Sequence, residues 1–346
     1  MKIASGLTRR DFLKLGGLGL ASLYLPNTLE RASSIIDQLD QPLQGRVTEA
    51  TVNVHQKPDS ASLVTNFYWR DIVLPITGLA ISDDQAAYNR IWYQVNGKGY
   101  AYSGSIQPVQ TILNDPVTSL PRPVNLVEVT VPYTEARRFP RQMADVVYRF
   151  YFETTHWVDA VFMDEEGSNW YRVVDDKFKQ NYYVQARHLR LIPDQDLLPL
   201  SPQVPDADKR LEVHLDQQMV IAFEEDQAVF MTRASTGGSF NRGIFTTPVG
   251  RWSTFHKRPS AHMAAGDLAS NGFDLPGVPW VSYVTESGVA FHGTFWHNDF
   301  GKPRSHGCIN ISSQAARWIY RWTQPIVPPG EQYRFLDTGT RVDIVQ

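Results

Sequence analysis

A strand ending written as Ile91-Trp92-Tyr93-Gln94-Val95 returns as Asn169-Trp170-Tyr171-Arg172-Val173, and this echo constrains the fold more than any other feature. Both stretches are rich in aromatic and β-branched residues, as strands are. The first is followed by the hairpin signal Asn96-Gly97-Lys98-Gly99 and by Tyr100-Ala101-Tyr102. Tyr182-Tyr183-Val184 takes the corresponding place after the second. Ile106-Gln107-Pro108-Val109 is then echoed by Leu189-Arg190-Leu191-Ile192-Pro193. A repeat of this length predicts two related β modules, over 45–110 and 124–193.

Proline marks the boundaries. Pro116, Pro121 and Pro123 fall between the modules, and Pro193, Pro199, Pro202 and Pro205 follow the second. That density predicts a semi-rigid linker over 194–207. A third pattern occupies 208–346. Leu211-Glu212-Val213-His214-Leu215 alternates strictly, Gln218–Phe223 and Ala228–Met231 read as further strands, and Thr236-Gly237-Gly238 and Thr247-Pro248-Val249-Gly250 read as turns. The one helical pattern runs from Ser312 to Trp322, with Ser312 or Ser313 as cap and Ala315, Ile319 and Trp322 on one face. The expected fold is mainly β, with a single helix in the last domain.

At 346 residues the chain has room for two or three domains. A formal net charge of -3 gives no basic excess for nucleic acid. Cys308 is the only cysteine, so an intrachain disulfide is excluded. It is a buried inert residue, half of an interchain pair, or a working thiol. Its neighbours favour the last. Three histidines, His292, His297 and His306, lie with Cys308 inside seventeen residues. A thiol needs a base to attack a carbonyl, and imidazole has the suitable pKa. Acyl transfer also needs donors for an oxyanion, and Gly307-Cys308 offers two backbone N–H groups. These residue types could in principle hold zinc, but the close paired spacing of zinc motifs is missing. The chain is expected to need no metal and no cofactor.

The stretch His292-Gly293-Thr294, followed after a loop by Ser305-His306-Gly307-Cys308-Ile309-Asn310, resembles the YkuD-type L,D-transpeptidase family. The resemblance extends over 208–346 through Ser235-Thr236-Gly237 and Thr247-Pro248-Val249-Gly250. It implies Cys308 as nucleophile, His292 as general base and acid, and the Gly293 carbonyl as orienter of that imidazole. His306 is implied in positioning or oxyanion support, and Gly307, Ser305 and Asn310 in oxyanion or loop support. Thr294 and Trp296 are placed near the substrate, and His297 is a loop residue near the substrate or merely solvated. The loop between His292 and Ser305 is shorter than in many members, which bears on lid shape. The two upstream modules resemble bacterial SH3-like modules.

The implied reaction is acyl transfer between peptidoglycan stem peptides, donor and acceptor, with carbapenems as expected inhibitors. Hydrolysis of the same acyl-enzyme and a wall-binding role remain open alternatives, as does the oligomeric state. At the other end, Thr8-Arg9-Arg10-Asp11-Phe12-Leu13-Lys14 and the apolar run Leu15 to Leu25 resemble a twin-arginine export signal, taken as residues 1–32. Cleavage near Ala21-Ser22 or Ala32-Ser33, or retention as an anchor, are alternatives. Either places the chain in the cell envelope.

Overall fold

The computed structural model describes residues 43–240, 243–269 and 272–346. The export signal expected over 1–32 and most of the polar stretch after it lie outside these residues. The fold is mainly β, and one α-helix is present among the described residues. Contacts divide the chain at Pro108 and Val109 into two units.

The first unit is one seven-stranded sheet. Its strands are β1 (Gln44–Val47), β2 (Thr51–His55), β3 (Val64–Trp69), β4 (Val73–Ile81), β5 (Ile91–Val95), β6 (Gly99–Tyr102) and β7 (Ile106–Val109), in the order β3-β2-β6-β5-β4-β1-β7. Val47, Val54, Ile76, Val95 and Ile106 form its core.

The second unit opens with seven more strands: β8 (Asn125–Val129), β9 (Tyr133–Arg137), β10 (Val146–Tyr151), β11 (Thr155–Met163), β12 (Asn169–Val174), β13 (Asn181–Gln185) and β14 (Leu189–Leu191). Their order, β10-β9-β13-β12-β11-β8-β14, repeats that of the first sheet strand for strand. The echoed Trp-Tyr pairs fall on the equivalent strands β5 and β12, and all four rings are buried.

From Lys209 the chain builds two five-stranded sheets around one helix. The first contains β15 (Lys209–His214), β16 (Met219–Glu224), β17 (Gln227–Arg233), β20 (Gly250–Ser253) and β26 (Arg341–Val345), in the order β17-β16-β15-β26-β20. Between them, β18 (Ser239–Phe240) and β19 (Gly243–Ile244) form a small hairpin. The second sheet has the order β24-β23-β22-β21-β25, from β21 (His256–Ala265), β22 (Phe273–Tyr283), β23 (Ala290–Gly293), β24 (Ile309–Ile311) and β25 (Arg334–Phe335). Helix α1 (Ser313–Trp322) starts at Ser312, whose Oγ accepts the Ala315 N–H at 3.2 Å. It buries Ala315, Ala316, Ile319 and Trp322 against Leu211, Val220, Trp280, Phe291 and Ile309 from the two sheets. At its other end the buried Lys257 Nζ donates to the carbonyls of Tyr320 and Thr323, the latter at 2.6 Å.

The proline-dense segment expected as a spacer is strapped to this domain instead. Leu197 and Leu200 pack on the core, Leu200 N–H donates to Arg321 O at 2.9 Å, and Asp196 pairs with Arg317 at 2.8 Å. Burying Leu197 and Leu200 favours docking, and the prolines are tolerated because only the short 3-10 turns Asp194–Asp196 and Asp206–Asp208 form there. The second module also contributes Leu126, Trp157 and Ile192 to the same core.

Candidate active site

Strands β23 and β24 run parallel, with Phe291 opposite Ile309, His292 opposite Asn310 and Gly293 opposite Ile311. Parallel neighbours cannot be joined by a tight turn and need a long crossover. The stretch 294–308 is that crossover: His292 lies on the strand that enters it, and Cys308 is its last residue, directly before the adjacent strand. Phe291, Ile309 and Ile311 point to the helix side. Strand alternation sends His292 and Asn310 to the other face.

The crossover is tied down residue by residue. Arg304 and Ser305 N–H both donate to Thr236 O at 2.9 Å, and Gly238 N–H donates to Ser305 O at 3.2 Å. Ser235 and Asn310 exchange backbone bonds of 2.8 and 3.0 Å. Ser305 Oγ donates to Cys308 O at 2.5 Å and accepts the Gly307 N–H at 3.1 Å. Thr247 Oγ1 donates to Gly307 O at 2.7 Å and accepts the Gly237 N–H at 2.9 Å. Gly307 sits at φ 113, where a side chain is disfavoured. Its N–H is therefore spent inside the loop. This corrects the expectation that Gly307 and Cys308 both offer free N–H groups, because the Ser305 hydroxyl claims one of them.

Cys308 is half-buried. Its thiol faces Gly288 O at 3.6 Å and accepts the Ala290 N–H. Burial pushes the thiol up to about 11 against the smaller opposing effect of that N–H. His292 is 2% exposed. Its Nδ1 donates to Gly293 O at 3.1 Å, which fixes the tautomer and leaves Nε2 unprotonated. Burial lowers this imidazole to about 4. At neutral pH the pair therefore rests as thiol and neutral imidazole. A preformed thiolate would need solvent that this pocket excludes.

The remaining sequence candidates separate. His306 is exposed, with its ring between Phe245 at 4.4 Å and Phe273 at 5.2 Å. Trp296 is half-buried, its ring 5.7 Å from that of His292. Thr294 is buried beside it, 4% exposed. His297 does not face substrate or solvent, as its place in the loop had suggested. It is 1% exposed, accepts the Asp299 N–H at Nδ1 (3.2 Å) and meets the Asn310 carboxamide at Nε2 (3.2 Å). Burial lowers it to about 3. Asn310 and His297 thus form a buried strut under the loop. Asp299 completes it, pairing with Lys302 at 2.8 Å and Arg304 at 2.9 Å.

Two contributors escaped sequence reasoning. The Thr-Pro-x-Gly turn was legible, but the reach of its threonine hydroxyl to Gly307 was not. Tyr283 stands opposite Ala290 and stacks on His256 at 4.8 Å, which stacks in turn on Phe335 at 3.8 Å. Burial raises the Tyr283 phenol, and the nearby Cys308 adds to the rise. No local motif marks Tyr283, because register alone brings it to the nucleophile.

Residues 208–344 match the family described as the YkuD L,D-transpeptidase catalytic domain. No match is found among curated proteins. Among solved structures, the chain is similar to an L,D-transpeptidase from Xylanimonas cellulosilytica (26% identity, 40% of this chain and 60% of that one, TM-score 0.28). It is also similar to one from Enterococcus faecium (18%, 40% and 50%, TM-score 0.31) and one from Mycobacterium smegmatis (17%, 74% and 90%, TM-score 0.33). The chain thus spans 60% and 50% of the lengths of the first two. The family match covers the two five-stranded sheets, the helix and the crossover that carries Cys308, and residues 208–344 are a catalytic domain of the YkuD L,D-transpeptidase family.

Proposed function

We propose that this protein cross-links peptidoglycan stem peptides through an acyl-enzyme on Cys308. The observation that carries the reading is the fixed His292 tautomer: Nδ1 is held by Gly293 O, so Nε2 is the free base on the strand next to the thiol. In the first half-reaction Nε2 takes the thiol proton as sulfur attacks the amide carbonyl of the donor stem. The carbon–nitrogen bond breaks, and the same proton passes to the departing amine of the terminal D-alanine. A side-chain amine of a second stem then attacks the thioester. His292 removes its proton, and the thiol is regenerated. The Cys308 N–H serves the oxyanion, with Gly307 supporting the loop through Ser305. His306, at the exposed rim, positions the substrate. No cofactor enters these steps.

The two seven-stranded sheets are read as SH3-like modules. Export is assigned to the Arg9-Arg10 signal, and Arg9→Lys with Arg10→Lys is expected to retain the precursor in the cytoplasm. The deciding experiment is incubation of purified protein with a disaccharide-tetrapeptide, followed by mass spectrometry. A cross-linked dimer supports the reading, whereas tripeptide alone replaces it with hydrolysis. A carbapenem is expected to add one drug mass to the wild type and none to Cys308→Ala.

A further inference from the structure

The second module grips the β21–β22 hairpin at a built-in irregularity. Ala261 pairs with Val278 and Met263 with Leu275, so Pro276 and Gly277 together face the single residue His262. Proline brings no N–H to the ladder, and Gly277 takes φ 74, which together make a bulge. The outer part of the hairpin, beyond this bulge, is held by side chains of the second module. The His156 ring fills the space where a Gly277 Cβ would stand, with its nearest atom 2.1 Å from that position. Tyr148 OH donates to Asp274 at 3.0 Å, and Lys177 donates to Ala264 O at 2.5 Å. Asp176 accepts the His262 backbone N–H at 2.8 Å and pairs with Arg258 at 2.9 Å.

His262 is the centre of this grip. Its Nδ1 bonds Asp175 of the second module, and its Nε2 bonds Asp274 of the hairpin. An imidazole that meets a carboxylate at both nitrogens carries both protons. Burial works against that charge, but the two carboxylates outweigh it and the pKa is raised. The other groups facing it are the Tyr148 ring at 5.6 Å, the Phe178 ring at 4.9 Å, Tyr182 behind Tyr148, and His156, which burial keeps neutral. Phe273 precedes Asp274 in the chain and packs 5.2 Å from His306, two residues before Cys308.

We propose that His262 is a positioning residue for acyl transfer: by pinning Asp274 to Asp175, it sets where Phe273 holds His306 beside the Cys308 loop. The proposal rests on Cys308 being the nucleophile. It gives the second module a part in the reaction beyond any role in attachment to the wall.

Three variants of the full chain test it. His262→Gln removes the charge and one donor, Asp175→Asn weakens the module's half of the clamp, and Phe273→Ala removes the relay. The first readout is the ring-current shift of the His306 Cε1 proton between Phe245 and Phe273, which needs no activity. It is expected to move toward the value of a solvated histidine in all three. The second is kcat on the disaccharide-tetrapeptide, expected to fall about tenfold in each, the scale of a modest misplacement. The double variant H262Q/F273A is expected to be no slower than F273A alone, since both break one link. Wild-type kcat is expected to fall as pH rises through the His262 pKa, and that alkaline fall is expected to vanish in H262Q. An unmoved His306 resonance in H262Q overturns the proposal, and so does an additive loss in the double variant. A wild type that neither transfers nor hydrolyses overturns the reading of Cys308 instead, while the resonance still decides the clamp.

Discussion

Thr247 Oγ1 lies 2.7 Å from the carbonyl of Gly307, a residue sixty positions later in the chain and immediately before the nucleophile. The same oxygen accepts the Gly237 N–H, so one hydroxyl joins two turns to the catalytic loop. Thr247→Val keeps the shape and strands both backbone groups in a site that is 6% exposed. The expected cost is about 1–3 kcal/mol of stability, read as a lower urea midpoint. Turnover is expected to fall further than stability, because Gly307 carries the backbone of Cys308.

The resting protonation state yields a second expectation. With the thiol at about 11, alkylation of Cys308 by iodoacetamide is expected to rise steadily from pH 7 to pH 10 without a plateau. His292→Ala is expected to slow acylation by substrate by two orders of magnitude or more, the usual range for general base removal. It is expected to leave the alkylation profile at high pH nearly intact. His306→Ala is expected to lower turnover with alkylation unchanged. A neutral-pH plateau in the wild type would point to a preformed ion pair instead.

Acid stability follows from three histidines buried in the neutral form. His292 is lowered to about 4, and His156 and His297 to about 3, in each case chiefly by desolvation. Unfolded histidine takes a proton near 6.5. Between that value and the folded ones the unfolded chain binds more protons. The stabilisation is therefore complete above about pH 6.5 and is lost as pH falls toward 3. His262, with its raised pKa, acts in the opposite sense, but it stands against these three and against the half-buried His188 and His256, which burial also lowers. Urea midpoints are expected to drop between pH 7 and pH 4.5, and more gently in His297→Gln.

Lys257 is expected to matter to the fold and not to the chemistry. Its fully buried Nζ serves two carbonyls at the end of α1, and burial holds its pKa well below the usual lysine value. Lys257→Met fills the space but orphans both carbonyls, at a cost of about 2 kcal/mol. Calorimetry checks the loss of stability, and an unchanged kcat in the folded fraction checks the division of roles.

The sequence made the chemistry legible where it is local. Ser305 to Asn310 and His292-Gly293 each lie within a few residues, and their order along the chain carries the motif. The repeated strand endings also survived, because Trp92 and Trp170 fill equivalent places on β5 and β12. Contacts set by register or by docking stayed hidden. Tyr283 reaches the site because β22 pairs with β23, and His262 meets Asp175 across eighty-seven positions. His297 misled for the same reason: a loop histidine reads as solvated until Asn310 and Asp299 are seen to enclose it. The proline-dense segment read as a spacer because composition does not reveal what Leu197 and Leu200 touch.

The burial of Leu126, Trp157 and Ile192 in the core around α1 bears on where the molecule can be cut. A fragment starting at residue 208, where the family match begins, would leave the sockets of these three side chains open to water. It would also lose Asp196, which pairs with Arg317, and Asp175, one of the two partners of His262. The smallest piece of this protein expected to fold by itself therefore begins near Val109, at the boundary between the two units. A deletion series read by protease resistance would place the loss of cooperative folding between those two start points, and the catalytic domain would behave as an inseparable half of a larger folding unit.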